Sequence, residues 1–250
     1  GDDHIAGDDG NDYIDGGEGN DWLEGWSGND TIIGGAGDDG LIGGAGDDVL
    51  DGGAGDWDSV RYDFEGGFAG VTVNLETGTA HDGHGGTDTL LNIEVIDGSD
   101  YDDVLTGDAN GNGIWGHQGN DIINGGAGED LLDGQEGDDT LSGGAGNDWL
   151  TGGNGNDVIV GGADNDSLFG GAGDDLFIFT NGNGDNAIHD FTAGQGSEDV
   201  IDLSGFDFND LSELAMMQQG SELRIQLDGD DAISLLGVNI ADLHADDFIF

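Results

Sequence analysis

Proline, cysteine and lysine are all absent from these 250 residues, so Arg61 and Arg224 are the only lasting positive charges. Without cysteine there is no disulfide framework. With 2 basic against 56 acidic residues the formal net charge is −54. Such a chain cannot neutralise phosphates, which excludes nucleic acid and anionic membrane surfaces as partners. No apolar run approaches the roughly 18 residues of a spanning helix, so we expect no membrane insertion.

Glycine is abundant, with 55 residues, whereas aromatic residues make up 7% of the chain. A glycine-rich, acidic chain with few aromatics is typically disordered, because it buries too little apolar surface to offset the entropy lost on ordering. Composition alone therefore predicts disorder. Only a regular order within the sequence can favour a folded state.

That order is a repeat of nine residues. From Gly16 the chain reads GGEGNDWLE, GWSGNDTII, GGAGDDGLI and GGAGDDVLD, and similar units resume further on. When the first glycine is numbered position 1, position 6 is aspartate in 14 of 15 units and position 8 is large and apolar in all 15. A random acidic tail would not keep two registers in phase, so the repeat predicts a folded chain.

Each nonapeptide combines a turn with a short strand. Glycines at positions 1, 2 and 4 allow the tight and left-handed backbone angles of a turn. Positions 7 to 9 are then extended, with the apolar position 8 facing one way and its neighbours the other. Two units make one 18-residue turn of a flattened parallel coil, and position 8 stacks on its counterpart one turn later. The pattern predicts an all-β parallel β-solenoid.

The position-6 carboxylates are the candidate metal ligands. Adjacent turns of a parallel coil lie about 4.8 Å apart, so acidic residues 18 positions apart would repel one another unless a cation lies between them. Calcium fits that spacing with its oxygen ligands, whereas magnesium is smaller and zinc favours histidine or cysteine. The ten pairs of aspartates 18 apart predict about ten calcium ions. The candidate ligands are Asp3, Asp12, Asp21, Asp30, Asp39, Asp48, Asp58, Asp103, Asn112, Asp121, Asp130, Asp139, Asp148, Asp157, Asp166 and Asp175.

Two of these candidates depart from the repeat. In GGAGDWDSV, Trp57 stands where the aspartate belongs and Asp58 follows one place late, so Asp58 is a ligand only on a bulged turn. At Asn112 a neutral amide replaces the carboxylate. We expect the site that Asn112 shares with Asp130 to be weaker than the others.

The repeated G-G-x-G-x-D-x-U-x motif resembles that of the RTX (repeats-in-toxin) proteins. The resemblance covers residues 1–56 and 98–178. It implies a calcium-bound parallel β-roll in a protein secreted by the type I machinery of a Gram-negative bacterium. Such proteins cross the envelope unfolded and fold outside the cell, where calcium is abundant. Calcium and the type I secretion machinery are therefore the expected partners.

The breaks in the repeat predict four regions. They are a first array at 1–58, a strand spacer at 59–97, a second array at 98–178 and a β-rich cap at 179–250 that carries one short helix. The expected strands of the spacer are Val71–Leu75 and Thr89–Ile96. In and around the cap we expect strands Leu176–Phe179, Ala187–Phe191 and Val200–Leu203, a helix near Asp210–Gln219 and a hairpin from Glu222–Asp228 and Ala232–Leu236 across Gly229–Asp231.

The tail is similar to the cap of serralysin-type RTX proteins. There an acidic residue followed by hydrophobic residues at the very end belongs to an uncleaved export signal. On this chain the corresponding residues are Asp247, Phe248, Ile249 and Phe250. The resemblance implies that residues 179–250 include a type I secretion signal.

Motifs for catalysis are missing from the chain. No H-E-x-x-H or G-x-S-x-G sequence occurs, and the many carboxylates lie at calcium-type spacing. The chain also opens inside a repeat. We therefore expect a non-catalytic part of a larger secreted protein, such as a protease, lipase or epimerase.

The alternative function is an extracellular polysaccharide-binding or adhesin module. Aromatic residues at the outward positions 7 or 9 could stack on sugar rings. The alternative interpretation of these side chains is that they cover neighbouring strands or a removed partner domain. They are Tyr13, Trp22, Trp115 and Trp149.

Overall fold

The computed structural model describes residues 1–63, 69–194, 199–229 and 231–250. Parts of the expected spacer and cap, and one residue of the expected turn Gly229–Asp231, lie outside the described residues. The chain divides into two compact units, Gly1–Ile122 and Ile123–Phe250. Among the described residues, secondary structure consists of 26 strands and two 3-10 helices. None of the helices described has the length or apolar character to cross a membrane.

The first unit is a parallel coil of short strands. One sheet has the order β1-β3-β5-β7-β11-β13, and the other β2-β4-β6-β10-β9-β8-β12. Only the pairs β8–β9 and β9–β10 are antiparallel among the pairings described in this unit. The strands are β1 His4–Ala6, β2 Tyr13–Glu18, β3 Trp22–Glu24, β4 Thr31–Ala36, β5 Gly40–Ile42, β6 Val49–Ala54, β7 Ser59–Arg61, β8 Thr72–Asn74, β9 Thr79–His81, β10 Thr87–Leu91, β11 Val95–Asp97, β12 Val104–Thr106 and β13 Gly113–Trp115.

The second unit has the same construction. Its sheets have the orders β15-β17-β19-β21-β25-β24-β23 and β14-β16-β18-β20-β22-β26. The strand β24 pairs antiparallel with both β23 and β25. The strands are β14 Ile122–Ala127, β15 Leu131–Glu136, β16 Thr140–Ala145, β17 Trp149–Asn154, β18 Val158–Ala163, β19 Ser167–Ala172, β20 Leu176–Ile178, β21 Asp185–Ile188, β22 Val200–Asp202, β23 Ala215–Gln219, β24 Glu222–Gln226, β25 Ala232–Leu236 and β26 Phe248–Ile249.

The core of each unit is a stack of position-8 side chains. In the second unit Leu132 pairs with Leu150, and Leu150 with Leu168, in steps of 18 residues. All three side chains are fully buried. Each strand of the nine-residue repeat contributes one such residue, because only position 8 of the triplet faces inward. The predicted all-β parallel β-solenoid is confirmed.

In its described residues the spacer at 59–97 forms five strands, β7 to β11, where two were expected. The strand predicted at Val71–Leu75 is present as β8. The stretch predicted as Thr89–Ile96 is divided between β10 and β11, because Asn92 has a left-handed backbone angle of φ 51° that breaks the extended conformation. The strand β10 then pairs in parallel with β6, so this part of the spacer follows the course of the coil.

The helix expected near Asp210–Gln219 is wrong. The chain makes a single 3-10 turn at Leu211–Glu213, capped by the Asp210 carboxylate, and Ala215–Gln219 is a strand. Asp210 and Glu213 have the spacing of a capping box, which predicts the start of a helix, but Met216 pairs opposite Ile225 in an antiparallel ladder. Tertiary pairing has overridden the local preference of this segment. The predicted hairpin partners are present as β24 and β25.

Candidate metal centre

The repeat aspartates form a ladder of side-chain to backbone hydrogen bonds. In each rung the backbone N–H of one aspartate donates to Oδ1 of the aspartate one turn later. Asp21 N–H donates to Asp39 Oδ1 at 2.7 Å, and Asp30 N–H donates to Asp48 Oδ1 at 2.7 Å. In the second unit Asp139 N–H donates to Oδ1 of Asp157 at 2.8 Å. One oxygen of each carboxylate therefore connects adjacent turns.

The second carboxylate oxygen, Oδ2, takes no part in this ladder. At several aspartates in the described part of the chain, Oδ2 is buried and accepts no hydrogen bond. A buried anionic oxygen without a hydrogen bond is costly, because it has lost water and gained no donor. These aspartates are Asp12, Asp21, Asp30, Asp39, Asp48, Asp58, Asp82, Asp148, Asp157, Asp166 and Asp175.

A backbone carbonyl lies beside many of these oxygens. A Cβ added at Gly34, position 1 of its unit, would contact Asp39 Oδ2 and would lie 2.5 Å from the carbonyl oxygen of Gly52, one turn later. Two oxygen acceptors thus border the same small cradle, which only a glycine leaves open. The same arrangement of Oδ2 and a glycine carbonyl recurs at Asp12, Asp21, Asp30, Asp148 and Asp157.

The chemistry of this donor set fits calcium. Carboxylate and carbonyl oxygens are hard ligands, and calcium accepts several of them in a flexible geometry. Among the described residues no three histidine, cysteine or acidic side chains gather at one point. Each cradle therefore offers one carboxylate Oδ2 together with backbone carbonyls, while Oδ1 of the paired aspartate is already bound to a backbone N–H.

Burial raises the pKa of several ladder carboxyls. Loss of water is the main cause, neighbouring acids add to it, and the backbone N–H bond to Oδ1 opposes it. The pKa of Asp48 rises to about 6, and those of Asp157 and Asp166 rise to about 7. A cation bound at Oδ2 would lower these pKa values, because an opposite charge favours the ionised form.

Asn112 satisfies its own polar atoms. Its Oδ1 accepts the backbone N–H of Asp108 at 2.8 Å, and its Nδ2 donates to the carbonyl oxygen of Glu94 at 3.2 Å. Oδ1 of Asn112 therefore has the place of Oδ2 in Asp103, which accepts the N–H of Ser99 four residues earlier. Nδ2 faces the backbone one turn earlier, which in the repeat aspartates is the place of Oδ1. The expectation of a weaker site at Asn112 stays a prediction.

Asp103 and Asp3 differ from the other predicted ligands. Both oxygens of Asp103 accept hydrogen bonds, Oδ1 from Val71 N–H and Ser99 Oγ, and Oδ2 from Ser99 N–H. Asp3 is exposed, although its backbone N–H donates to Asp21 Oδ1 at 2.7 Å. The structure therefore places Asp103 and Asp3 in the ladder without the orphaned oxygen of their neighbours.

Asp58 occupies the position-6 place despite its late position in the sequence. Its Oδ1 accepts the backbone N–H of Asp39 at 2.8 Å across 19 residues. Its own N–H donates to Oε2 of Glu94 at 3.0 Å. Burial raises the pKa of Asp58 to about 6. The extra residue is accommodated on the turn, and Glu94 is a ladder residue that the nine-residue period does not reveal.

Other ladder residues were also missed from the sequence. Asp88 Oδ1 accepts Asp48 N–H at 3.1 Å, and its neighbour Leu90 pairs with Leu50 in the core. The stretch GHGGTDTLL from residue 83 is a degenerate repeat unit, so a search that tolerated imperfect glycines would have found Asp88. In the second unit Asn186 and Asp199 extend the ladder from Asp166 and Asp175.

Two of the aromatic residues considered for sugar binding have partners within the protein. Trp22 donates from Nε1 to Glu24 Oε1 at 2.6 Å, and the Arg61 guanidinium lies 4.9 Å from its ring centre. Trp149 stacks on Phe169 with ring centres 4.7 Å apart.

The other two candidates differ in exposure. Tyr13 is 68% exposed, whereas Trp115 is half-buried. The signal that was missed is Trp26, which stands at position 2 of its unit and is 58% exposed.

Two solved structures are similar to this chain. The chain is 21% identical to extracellular lipase LipA from Serratia marcescens over 96% of this chain, with a TM-score of 0.33, and it spans 38% of the lipase. It is 28% identical to the AlgE6R2 subunit of the mannuronan C5-epimerase from Azotobacter vinelandii, covering 62% of this chain and 91% of that one at a TM-score of 0.32. No curated protein sequence matches the chain.

The repeats themselves match a family model. The RTX calcium-binding nonapeptide repeat matches residues 1–32, 27–56, 92–123, 115–150 and 151–185. These segments include the glycine turns, the aspartate ladder and the position-8 core of both units, and they make up more than half of the chain. This protein belongs to the family of RTX calcium-binding repeat proteins.

Proposed function

We propose that calcium binding at the glycine–aspartate cradles drives the folding of this chain and stabilises a larger secreted protein of which it is a part. One observation carries the proposal: buried Oδ2 oxygens without a hydrogen bond recur along the ladder, several of them beside a glycine carbonyl. Each such oxygen disfavours the folded state until a cation neutralises it. The proposed ligands are the position-6 residues together with Asp58, and the proposed load is about ten ions.

The coupling between binding and folding follows from the two oxygens of each carboxylate. Oδ1 connects turns only when the chain is coiled, because its donor lies 18 residues away, as in Asp3 and Asp21. Oδ2 then lies in a buried place that the coil itself creates. The site therefore does not exist in the unfolded chain, and binding free energy becomes folding free energy. Without calcium, the net charge of −54 adds repulsion that favours the open chain.

Circular dichroism of the whole chain tests the coupling. In chelator at neutral pH we expect a spectrum without β structure, and in roughly millimolar calcium a β spectrum that is not reproduced by equal magnesium. Titration calorimetry should then count about ten ions per chain. A chain that keeps its full β spectrum in chelator would refute the coupling, and a full response to magnesium would refute the assignment of the metal.

Export and location form the second part of the proposal. A chain that stays unfolded at low cytosolic calcium could pass a type I secretion channel of a Gram-negative bacterium and fold outside the cell. The serralysin-like cap at 179–250, with Asp247 to Phe250 in the export signal, belongs to this part. Secretion from a host that carries a type I system, compared with a variant that ends at residue 246, tests it. Equal export of both forms would contradict the signal.

The passenger is the third part of the proposal. We infer that the chain is the non-catalytic part of a secreted enzyme, for which a protease, a lipase and an epimerase are the expected candidates. The similar lipase is longer than this chain, which covers 38% of it. Sequencing the gene upstream of Gly1 identifies the passenger, and a reading frame without any further domain would overturn this part.

A further inference from the structure

A surface cavity in the first unit lies apart from the calcium cradles. Its volume is about 370 Å³. The indole of Trp26, the side chain of Ile42 and the small residues Gly44 and Ala45 provide an apolar lining, while Glu24 and His84 add polar groups. Apolar surface with a few converging polar groups is typical of a small-molecule site.

Trp26 is an unusual residue for its position. Position 2 of the repeat requires a left-handed backbone, with φ 118° at Gly35 and φ 93° at Gly44, and Trp26 adopts φ 77°. A bulky side chain in this conformation is strained. Burial does not compensate, because the side chain remains 58% exposed. Polar residues also stand at position 2 of other units, as His117 with φ 74° and Gln135 with φ 73°, whereas Trp26 is large and apolar. A large apolar side chain that is both strained and exposed indicates a role in binding rather than in stability.

Glu24 holds the orientation of the Trp26 ring. The indole Nε1 donates to Glu24 Oε2 at 3.0 Å, and the neighbouring Trp22 donates to Oε1 at 2.6 Å. Although burial opposes ionisation, the hydrogen bonds from Trp22, His4 and Trp26 keep the pKa of Glu24 below its usual value. The edge of the indole is therefore fixed to an ionised carboxylate, and Trp26 lines the cavity.

We propose that this cavity binds one ring of an uncharged polysaccharide, with the apolar face of the sugar against Trp26 and its hydroxyls on Glu24 and His84. A pyranose has one apolar face and a rim of hydroxyls, which matches a lining that is apolar at Ile42 and Gly44 and polar at its edge. Binding at this site depends on the calcium-loaded coil, since Trp26 and Gly44 come from successive turns.

The charge of the site distinguishes an uncharged sugar from two other candidate ligands, an acidic sugar and a small organic cation. An acidic sugar would meet ionised Glu24 on a chain of net charge −54, so it should bind poorly. A small organic cation could pair with Glu24, but Oε1 already meets Trp22 Nε1 and His4 Nε2, which leaves only Oε2, beside Trp26 Nε1, with room to accept one hydroxyl. A cavity of about 370 Å³ is also much larger than an ammonium group. An uncharged sugar is therefore the ligand that matches both the volume and the charge of the cavity.

Titration of the calcium-loaded chain tests the proposal. The probes are uncharged hexasaccharides of glucose, mannose and galactose, a uronic acid hexasaccharide, and tetramethylammonium, with tryptophan fluorescence and calorimetry as readouts. Trp26→Gly introduces glycine, the residue that the two following units have at position 2 as Gly35 and Gly44, so its β spectrum in calcium should match that of the parent. We expect it to weaken binding of the uncharged sugar by at least about tenfold.

The matched control is Trp149→Thr, which removes another exposed tryptophan and leaves threonine, the residue of Thr31 and Thr140 at position 7. It should bind sugar as tightly as the parent. Four outcomes would overturn the proposal: no uncharged sugar binds to the folded chain, Trp26→Gly binds normally, the uronic acid binds more tightly, or tetramethylammonium does. Because the β spectrum is recorded first, failure of calcium-dependent folding is distinguished from failure of this site.

Discussion

Gly34→Ala should remove one calcium site. The added Cβ would contact Asp39 Oδ2 and would lie 2.5 Å from the carbonyl oxygen of Gly52 and 2.8 Å from Asp39 Cβ. Real Cβ atoms do not approach so closely, so the carboxylate or the adjacent turn must move. Asp39 cannot rotate away without losing the bond from Asp21 N–H to its Oδ1. We therefore expect the cradle to lose its ability to hold an ion.

The magnitude follows from linkage. A site held at a calcium concentration of 100 times its Kd stabilises the fold by about 2.7 kcal/mol, and each bound ion adds about 1.4 kcal/mol of stability per tenfold rise in calcium. Urea unfolding at several calcium concentrations measures the slope of unfolding free energy against log calcium. Gly34→Ala should reduce this slope by about one ion. A steric clash without loss of a site would lower stability at every concentration and leave the slope unchanged, which would refute the reasoning.

Gly40→Ala is the matched control in the same unit. Its Cβ would lie 3.3 Å from the Trp22 ring and 3.6 Å from Ser59 Oγ, which are ordinary or slightly tight contacts with side chains. Gly40 does not have a left-handed backbone angle and does not border an aspartate oxygen. We expect a small change in stability and an unchanged slope. A reduced slope in this variant would mean that the measurement reports general damage to the coil.

The remaining predictions concern pH and Asn112. In chelator, the fold should become more stable as pH falls. Burial raises the pKa of Asp48 to about 6 and that of Asp157 to about 7, against an unfolded value of 3.8. The stability that protonation of these two carboxyls contributes is therefore complete below about pH 3.8 and is lost as pH rises through 6 to 7. Circular dichroism in chelator at pH 5 and pH 8 checks it, and greater β content at pH 8 would contradict it. Asn112→Asp should add one ion to the calorimetric count, since a carboxylate oxygen replaces the Nδ2 that donates to the Glu94 carbonyl; an unchanged count would contradict the cradle.

The regular part of the fold could be predicted because the repeat has a strict phase. One apolar residue every nine positions allows one arrangement of strands, and Leu132, Leu150 and Leu168 stack as that arrangement requires. The prediction failed where the phase is lost. Leu90 enters the core 40 residues after Leu50, because an antiparallel excursion through β8 and β9 belongs to the same sheet. Periodicity carries no information about such an excursion.

The spacing of the repeat predicts which residues are candidate ligands, but it does not predict how their oxygens are arranged. Spacing alone identifies aspartates 18 residues apart, such as Asp139 and Asp157, as neighbours on adjacent turns. It cannot say that Oδ1 of Asp157 accepts the Asp139 backbone N–H, because a side chain has several ways to use two equivalent oxygens. The cradle of Oδ2 and a glycine carbonyl emerges only when the turn at Gly152 has a defined backbone. Local turn chemistry, rather than the period, determines which oxygen meets the ion.

Protonation of the ladder carboxyls connects the calcium response with the pH response. A protonated Asp157 could satisfy its own cradle without a cation, because its Oδ2–H could donate to the carbonyl of Gly170. Protons and calcium then compete for one place. Acid should favour the fold in chelator yet weaken calcium binding, which explains why a carboxylate rather than an amide suits a folding switch that depends on calcium.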